Sequence, residues 1–407
     1  MLSFKYEARN PVTGEKISAA IDADSEQAAA SLLKQQGLVP IDITVLKNSG
    51  FSFGRGKVKA KDKILFSRQL STLINAGLPL LQALRSVNQQ TESKTLKIIM
   101  NQVISDVEGG STLNGAMSKH PKVFNQIYLS LIGAGEASGT LDAALDRLSL
   151  QQEKEADLNS KIRGAMTYPI IVLFVMGGVL GFMVVKVLPQ VKGLYAGLPG
   201  GAAKLPLVTK ILLAISDFVI TKWWIVLIIV VVLAFVTTKY ARTGPGKQVI
   251  DKIKMRAWPA GGLFMKVYMA RFARTGSTLV ASGVPLLQML DITARSVNNV
   301  HIEAAITKAV EKVKGGKSLA DSIDKDPNFL PLVPNMLRIG EQSGSMEAMM
   351  AKVAEYYEKE VDNEVANISS IIEPVMMVIL GVVAFVIVAA VLLPIYGLAG
   401  NSSFTGG

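Results

Sequence analysis

The feature that most constrains this fold is an internal duplication. Residues 66–84 read FSRQLSTLINAGLPLLQAL, and residues 272–290 read FARTGSTLVASGVPLLQML. At a constant offset of 206, eleven of these nineteen positions are identical. A period of this length indicates a duplicated domain, because the short repeats that stack into solenoids recur about every 20–50 residues. The chain is therefore predicted to contain two related units.

The match continues along the chain, and each copy ends in an apolar segment. After one residue is lost the offset becomes 205, so that GEASG at 135–139 matches GEQSG at 340–344. Pro169 and Pro374 then each open a long apolar run, which a Leu-Pro pair closes. The residues before these runs show the periodicity and turn signals of short antiparallel helices. Each copy is predicted to be a soluble helical bundle followed by a membrane span.

The composition fits a membrane protein and leaves little for catalysis. Half of the residues are hydrophobic, the mean hydropathy is +0.36 and the net charge is +11. A basic chain can bind nucleic acid or the anionic inner face of a membrane. Because spans are present, we expect membrane lipid and no nucleic acid as a partner. With no cysteine and two histidines, we expect no disulfide, no metal and no cofactor.

The first 47 residues predict a small α/β module that suits docking better than catalysis. Strands are expected near residues 4–8, 17–21 and 41–45, with a helix between the last two that Gly37 ends. The first residues lack the apolar core and cleavage site of a signal peptide, so we expect this module in the cytoplasm. Residues 48–63 are rich in Gly, Ser and Lys. They predict a solvated linker or a contact with anionic lipid or an acidic partner.

Three apolar runs are candidates for membrane spans. Residues 164–185 carry no charge and are long enough to cross about 30 Å of hydrocarbon. The run at 223–238 begins with two tryptophans, as an interfacial belt would, and a basic cluster follows it. The third run begins at Pro374 and is uncharged. The apolar stretch 211–220 could lengthen the second span, although it contains Asp217 and is followed by Lys222.

The duplication also constrains the topology. Two related bundles share a compartment only if an even number of spans separates them, and the first two runs supply two. The basic cluster after residue 238 marks the cytoplasmic side. We therefore predict a multi-pass membrane protein with its N-terminus and both bundles in the cytoplasm and its C-terminus outside.

The predicted fold class is a mainly α, polytopic membrane protein with two homologous cytoplasmic bundles, three transmembrane helices and a small N-terminal α/β module. The predicted order is as follows: module 1–47, basic linker 48–63, first bundle 64–163, first span 164–188, periplasmic loop 189–222, second span 223–238, basic connector 239–269, second bundle 270–370, third span 371–393 and periplasmic tail 394–407.

No motif for nucleotide or acyl chemistry is complete. The sequence Gly316-Lys317-Ser318 resembles the end of a P-loop, but Glu311 stands where the first glycine is needed. We interpret these residues as a helix cap and expect no enzyme activity. A membrane-bound enzyme would need a reactive constellation, and a transporter would need ionisable groups along its spans; the sequence favours neither.

Three acidic residues leave alternatives open. Glu136 and Glu341 recur at matching places beside a Gly/Ser turn. Each carboxylate could accept hydrogen bonds from the amides of a helix N-terminus, or each could be a docking contact for a partner. Glu373 adjoins the third span, where the first copy has Tyr168. It could face the headgroups, or pair with a basic residue of a neighbouring helix or a second subunit.

The ordered motifs resemble one known family. Each copy contains Phe-x-Arg-x-x-Ser-Thr-Leu, a Gly-x-Pro-Leu-Leu turn, Gly-Glu-x-Ser-Gly, and a proline-started span that ends in Leu-Pro. Together these resemble the PilC/GspF family, the inner-membrane platform proteins of type IV pili and type II secretion systems. The resemblance covers essentially the whole chain, and Tyr168-Pro169 and Glu373-Pro374 match the family's span starts.

The resemblance implies a function without catalysis. Such platforms form small oligomers, contact a hexameric cytoplasmic assembly ATPase, and couple its motion to extraction and polymerisation of pilin or pseudopilin subunits. Other inner-membrane alignment proteins are implied partners as well. Pilus assembly is the preferred alternative and type II protein secretion the second; a membrane transporter is a distant third.

The family motifs also imply candidate residues. Pro169, Glu373 and Pro374 are the candidates at the membrane edge. The candidates for partner contact or for the structure of the turns are Arg68, Gly77, Pro79, Glu136, Gly139, Arg274, Gly283, Pro285, Glu341 and Gly344.

Overall fold

The structure of the protein is a computed structural model. It describes residues 2–9, 16–23, 30, 33, 39–45, 58–190, 193, 207–258 and 260–402. The chain divides into two compact units, residues 1–57 and residues 58–407. Because the second unit contains both copies of the duplication, the contacts between the two copies are part of one compact body.

The first unit contains a three-stranded antiparallel sheet. Its strands are β1 (Leu2–Arg9), β2 (Lys16–Ala23) and β3 (Val39–Val45), in the order β2-β1-β3. Tyr6 lies opposite Ala19 on one side and Ile43 on the other. The predicted helix between β2 and β3 lies almost entirely outside the described residues, so the α/β module as a whole stays a prediction.

The described residues of the second unit form helices joined by short turns, which confirms the prediction of a mainly α protein. Its first half contains α1 (Ala60–Asn75), α2 (Leu80–Gln90), α3 (Lys94–Glu108), α4 (Leu113–Ser118), α5 (Gln126–Ser138) and α6 (Leu141–Phe182). The chain continues through α7 (Leu207–Thr221), α8 (Trp223–Ala241) and α9 (Gly244–Arg256). Its second half contains α10 (Gly261–Ala281), α11 (Leu286–Ser296), α12 (Val300–Lys314), α13 (Leu319–Ile323), α14 (Leu332–Ser343) and α15 (Met346–Ser402).

The helix boundaries repeat with the sequence. Helices α2 and α3 recur as α11 and α12 at the offset of 206, and α6 begins 205 residues before α15. The buried apolar side chains of the two bundles form one continuous core. In the first bundle Tyr128 packs on Phe124 with ring centroids 4.9 Å apart and shares a 3.2 Å hydrogen bond with Ser67. Burial raises the pKa of Tyr128 to about 12.

Each bundle continues into an apolar helix without a break. Among the described residues, three helices are long and apolar enough to cross a membrane, within Leu141–Gln190, Trp223–Ala241 and Met346–Val386. Pro169 and Pro374, which the sequence predicts at the starts of spans, lie inside the unbroken helices α6 and α15. A proline removes one backbone hydrogen bond, and long membrane helices tolerate this loss. Met183–Val187 continue α6 as a π-helical turn.

The segment predicted as a periplasmic loop contains a helix. Helix α7 occupies its second half and is separated from α8 at Lys222. The apolar stretch 211–220 is therefore a helix of its own and does not lengthen α8. The Ser216 hydroxyl donates a hydrogen bond to the carbonyl of Val184, so α7 packs against the end of the first apolar helix.

Candidate functional site

The two recurrent glutamates lie against the start of a short helix. In the first bundle the Glu136 carboxylate accepts hydrogen bonds from the backbone N–H groups of Leu113 (2.7 Å) and Asn114 (3.1 Å). In the second bundle Glu341 accepts from Leu319 (2.5 Å) and Ala320 (3.2 Å). The first N–H groups of a helix have no partner within it, and the helix dipole favours a negative charge there. Of the two alternatives considered for these glutamates, the contacts match hydrogen bonding to the amides of a helix N-terminus.

Neighbouring side chains complete these helix starts. Thr112 and Ser318 accept hydrogen bonds from the N–H groups of Gly115 (3.0 Å) and Asp321 (3.1 Å). In the second copy Arg338 also reaches Asp321 at 3.1 Å. Hydrogen bonds from Ser318 and Arg338 hold the pKa of Asp321 below its usual value. Each short helix is thus fixed to the helix that carries its glutamate.

The recurrent glycines and prolines shape the turns. Gly139 and Gly344 end α5 and α14 with φ of 71° and 68°. Gly77 and Gly283, with φ of 83° and 77°, follow α1 and α10. A Cβ atom at any of these four positions would meet nothing within 4 Å, so glycine is needed for its backbone conformation. Pro79 and Pro285 are the N-cap residues of α2 and α11.

The recurrent arginines bind the long helices. Arg68 in α1 forms an ion pair with Glu153 in α6. Arg274 in α10 binds Glu358 in α15 through two hydrogen bonds, Nε to Oε1 at 2.8 Å and Nη2 to Oε2 at 2.9 Å. Both the arginines and a Glu-Lys-Glu segment, at 153–155 and 358–360, recur in the sequence, but the sequence does not show that they meet. Their joint recurrence was the signal that could have revealed the pairing.

A polar strip that sequence reasoning missed joins the two bundles. Helix α6 belongs to the first bundle, yet Gln151 donates to Thr275 (3.2 Å) and accepts from Thr278 (3.1 Å) in α10. Further along, Arg271 donates to Asn159 at 2.7 Å. Lys161 of α6 lies 2.7 Å from Asp362 of α15. The two copies therefore form one body, joined along the helices that continue into the membrane.

Two of the three predicted membrane-edge residues, Pro169 and Glu373, lie at one cleft. Tyr168 and Pro169 of α6 face Ile372 and Glu373 of α15 across a cleft of about 250 Å³. Gly164 and Ser369 complete its lining. The starts of the first and third apolar runs thus pack side by side.

The described residues include no group of three or more His, Asp or Glu side chains placed to hold a metal ion. Most of the candidate residues are instead engaged in contacts within the bundles: a carboxylate on helix amides, an arginine on a carboxylate, and glycines at left-handed turns. Such an arrangement can position helices and transmit movement between them.

Comparisons with known proteins agree with the duplication. A family model described as "Type II secretion system (T2SS), protein F" matches twice, at residues 66–189 and 272–394. The model of that family's N-terminal domain matches residues 1–44. The family match confirms both the duplicated unit and the resemblance.

Relatives from both kinds of machine match nearly the whole chain. A type IV pilus assembly protein PilC of Thermus thermophilus is 39% identical, over 98% of this chain and 99% of its own. A PilC protein of Myxococcus xanthus is 36% identical, over 98% and 95%. A type II secretion system protein F of Pseudomonas aeruginosa is 31% identical, over 98% and 99%. This chain therefore belongs to the type II secretion system protein F family, the PilC/GspF family that its repeated motifs resemble.

Proposed function

We propose that this chain is the inner-membrane platform protein of a type IV pilus assembly machine. The choice of pilus assembly over secretion rests on the sequence identities of relatives that match nearly equal shares of this chain. Four relatives named PilC are 32–39% identical to this chain, whereas three named type II secretion system protein F are 29–31% identical. The same comparison keeps a type II secretion platform as the second candidate, because that relative also matches 98% of the chain.

In this role the chain couples a cytoplasmic assembly ATPase to the extraction and polymerisation of pilin subunits, and itself catalyses nothing. The three apolar helices support a position in the inner membrane. The two bundles, joined by hydrogen bonds between α6 and α10, would move together when the ATPase acts on either one. Because the apolar helices continue from the bundles, this movement would be transmitted into the membrane, where the pilin subunits are held before assembly.

The partners follow from the same role. They are a hexameric ATPase, pilin or pseudopilin subunits, other inner-membrane alignment proteins and further copies of this chain. We assign the small N-terminal α/β module to docking on the cytoplasmic side. The ten motif residues hold the bundles in shape, since Arg274, Glu136 and Glu341 are engaged within the chain.

The experiment is affinity purification of the tagged chain from native membranes in mild detergent, with identification of the proteins that accompany it. An unrelated tagged protein with three spans, purified from the same membranes, is the control. We expect an assembly ATPase and pilins with the tagged chain and neither with the control. Pseudopilins in place of pilins would establish the secretion alternative. Recovery of the chain alone, with the ATPase demonstrably present in the membranes, would overturn both.

A further inference from the structure

Helix α9 begins where the second apolar helix ends. Helix α8 ends at Ala241, and α9 begins at Gly244. The Thr243 side chain accepts a hydrogen bond from the N–H of Gly246 at 3.2 Å, and a Cβ atom on Gly246 would lie 1.8 Å from the Tyr240 carbonyl oxygen. The chain therefore turns tightly, with the first turn of α9 packed on the last turn of α8.

One face of α9 is fixed to the second bundle. The buried Asp251 carboxylate accepts a hydrogen bond from the N–H of Val300, at the start of α12, at 3.1 Å. The carbonyl of Gln248 lies 3.0 Å from Nε2 of His301. These contacts determine which face of α9 remains exposed.

The exposed face combines apolar and basic side chains. Val249, Lys252, Ile253 and Arg256 are exposed at helical spacing, and the Trp258 side chain just beyond them is 77% exposed. Among the described residues, Lys252 and Arg256 have no ion-pair partner. Basic amphipathic helices with an exposed tryptophan are typical of segments that lie in a membrane interface.

A cleft beside this face lies close to the third apolar run. Arg256 and Trp258 line one side of a cleft of about 310 Å³, and α15 lines the other with Glu364, Asn367, Ile368 and Ile371. The Glu364 carboxylate is paired with Lys266 at 2.7 Å. Ile371 is three residues before Pro374, where the uncharged run begins. The exposed face of α9 and the cleft are thus at the same end of two apolar helices.

We propose that α9 and Trp258 form an interfacial anchor that binds the phosphate headgroups of anionic phospholipids. Val249, Ile253 and Trp258 enter the boundary between headgroups and acyl chains, while Lys252 and Arg256 pair with phosphates. The anchor rests on the proposed position of α8 in the membrane. Charge complementarity favours lipid over a second copy of this chain, because that copy also carries a net charge of +11.

The absence of cysteine allows a site-specific test in the full chain. Single cysteines Ile253→Cys, Val230→Cys in α8 and Glu311→Cys on the exposed surface of α12 are labelled with the environment-sensitive fluorophore NBD. Each labelled protein is placed in nanodiscs of phosphatidylcholine, with or without phosphatidylglycerol, that contain a nitroxide-labelled lipid as quencher. We expect quenching at 230 in both lipids, none at 311, and quenching at 253 that increases with phosphatidylglycerol.

A charge variant tests the headgroup contact. Lys252→Gln with Arg256→Gln should lower the ratio of inserted to exposed label at 253 about fivefold for each charge removed. Lys308→Gln with Lys314→Gln on α12 is the matched control and should change nothing. Equal quenching at 253 in both lipids, unaffected by the variant, would overturn anionic headgroup binding.

The remaining outcomes separate the anchor from the membrane placement. A label at 253 that is unquenched while the label at 230 is quenched would overturn the anchor and leave the span intact. A label at 253 that is shielded from water but not quenched by lipid would assign the face to a protein, such as a second copy. An unquenched label at 230 would overturn the membrane position of α8, and the anchor with it.

Discussion

The two equivalent arginine–glutamate pairs differ in their exposure. The side chains of Arg68 and Glu153 are 66% and 33% exposed, whereas those of Arg274 and Glu358 are 18% and 11% exposed. Water therefore screens the attraction in the first pair strongly and the attraction in the second pair much less. Removing one partner of a buried pair leaves the other charge buried without compensation. Substitution in the second pair should therefore destabilise the protein more than substitution in the first.

We expect Arg274→Ala to lower the free energy of unfolding by about 3 kcal/mol, the low end for a broken buried pair. The loss is limited because Lys154, whose Nζ lies 3.5 Å from Glu358, still partly neutralises the Glu358 charge in this variant. Arg68→Ala is the matched control and should cost about 0–1 kcal/mol. Thermal unfolding in detergent, followed by circular dichroism, measures both. Equal losses in the two variants would show that exposure does not decide the strength of these pairs.

Residue identities predicted the site only where the interaction is local or the chemistry is distinctive. A carboxylate beside a Gly/Ser turn indicated helix amides as one of its partners, and glycine before proline indicated a turn. The pairing of Arg274 with Glu358 spans 84 residues and depends on α10 lying against α15. No local pattern reports that packing. The contacts of Gln151 with the second bundle were missed for the same reason.

At the scale of elements, Glu136 and Glu341 accept hydrogen bonds from the first N–H groups of the short helices, so we expect them to stabilise those helices. Glu136→Ala and Glu341→Ala should each lower the free energy of unfolding by about 1–3 kcal/mol, because two part-buried backbone N–H groups lose their acceptor. Glu355→Ala, which removes an exposed glutamate 3.7 Å from Lys359, is the control and should change stability by less than about 0.5 kcal/mol. Hydrogen exchange at Leu319 should accelerate in Glu341→Ala; unchanged exchange there would contradict the capping role.

The close packing of α5 on α6 depends on Gly135. A Cβ atom at this position would lie 2.4 Å from that of Ala144 and 3.2 Å from Cα of Leu141. We expect Gly135→Ala to separate the two helices and to destabilise the protein by about 1–3 kcal/mol. Gly164→Ala, in an open position of α6, is the control and should stabilise slightly, by about 0.5–1 kcal/mol. A stable Gly135→Ala protein would contradict this packing constraint.

The types of the elements were easier to predict than their continuity. Periodicity and turn residues predicted helices throughout both bundles. The sequence placed a proline at the start of each apolar run but did not show that a bundle helix passes through it. The helix continues at both prolines, since a proline removes only one backbone hydrogen bond. The Gly and Pro residues of segment 189–222 led to the prediction of a loop, whereas its second half forms helix α7.

For the whole molecule, the topology is the most direct prediction. Because the chain has no cysteine, Ser93→Cys and Ser403→Cys introduce single thiols. A membrane-impermeant maleimide applied to intact cells should label position 403 and leave position 93 unlabelled until the cells are opened. Labelling at 93 in intact cells would place the first bundle outside and overturn the proposed orientation.

The duplication made the overall architecture predictable from the sequence. It indicated two bundles and an even number of spans between them, and the part of the chain that the structure describes contains three helices of suitable length and composition. How the two bundles pack on each other was not predictable. That arrangement depends on side chains such as Arg271 and Asn159, which are 112 residues apart and which the repeat does not pair.

The unbroken helices α6 and α15 have a mechanical consequence. With 42 residues in α6 and a rise of about 1.5 Å per residue, the rod is about 60 Å long. A tilt of about 5° at one end displaces the other by about 5 Å, roughly the pitch of one helical turn. Lys161 and Asp362 couple the two rods beside each other, so they share the load. In the proposed platform role, a small rotation of the bundles would therefore displace the far ends of the apolar segments by about one helical pitch.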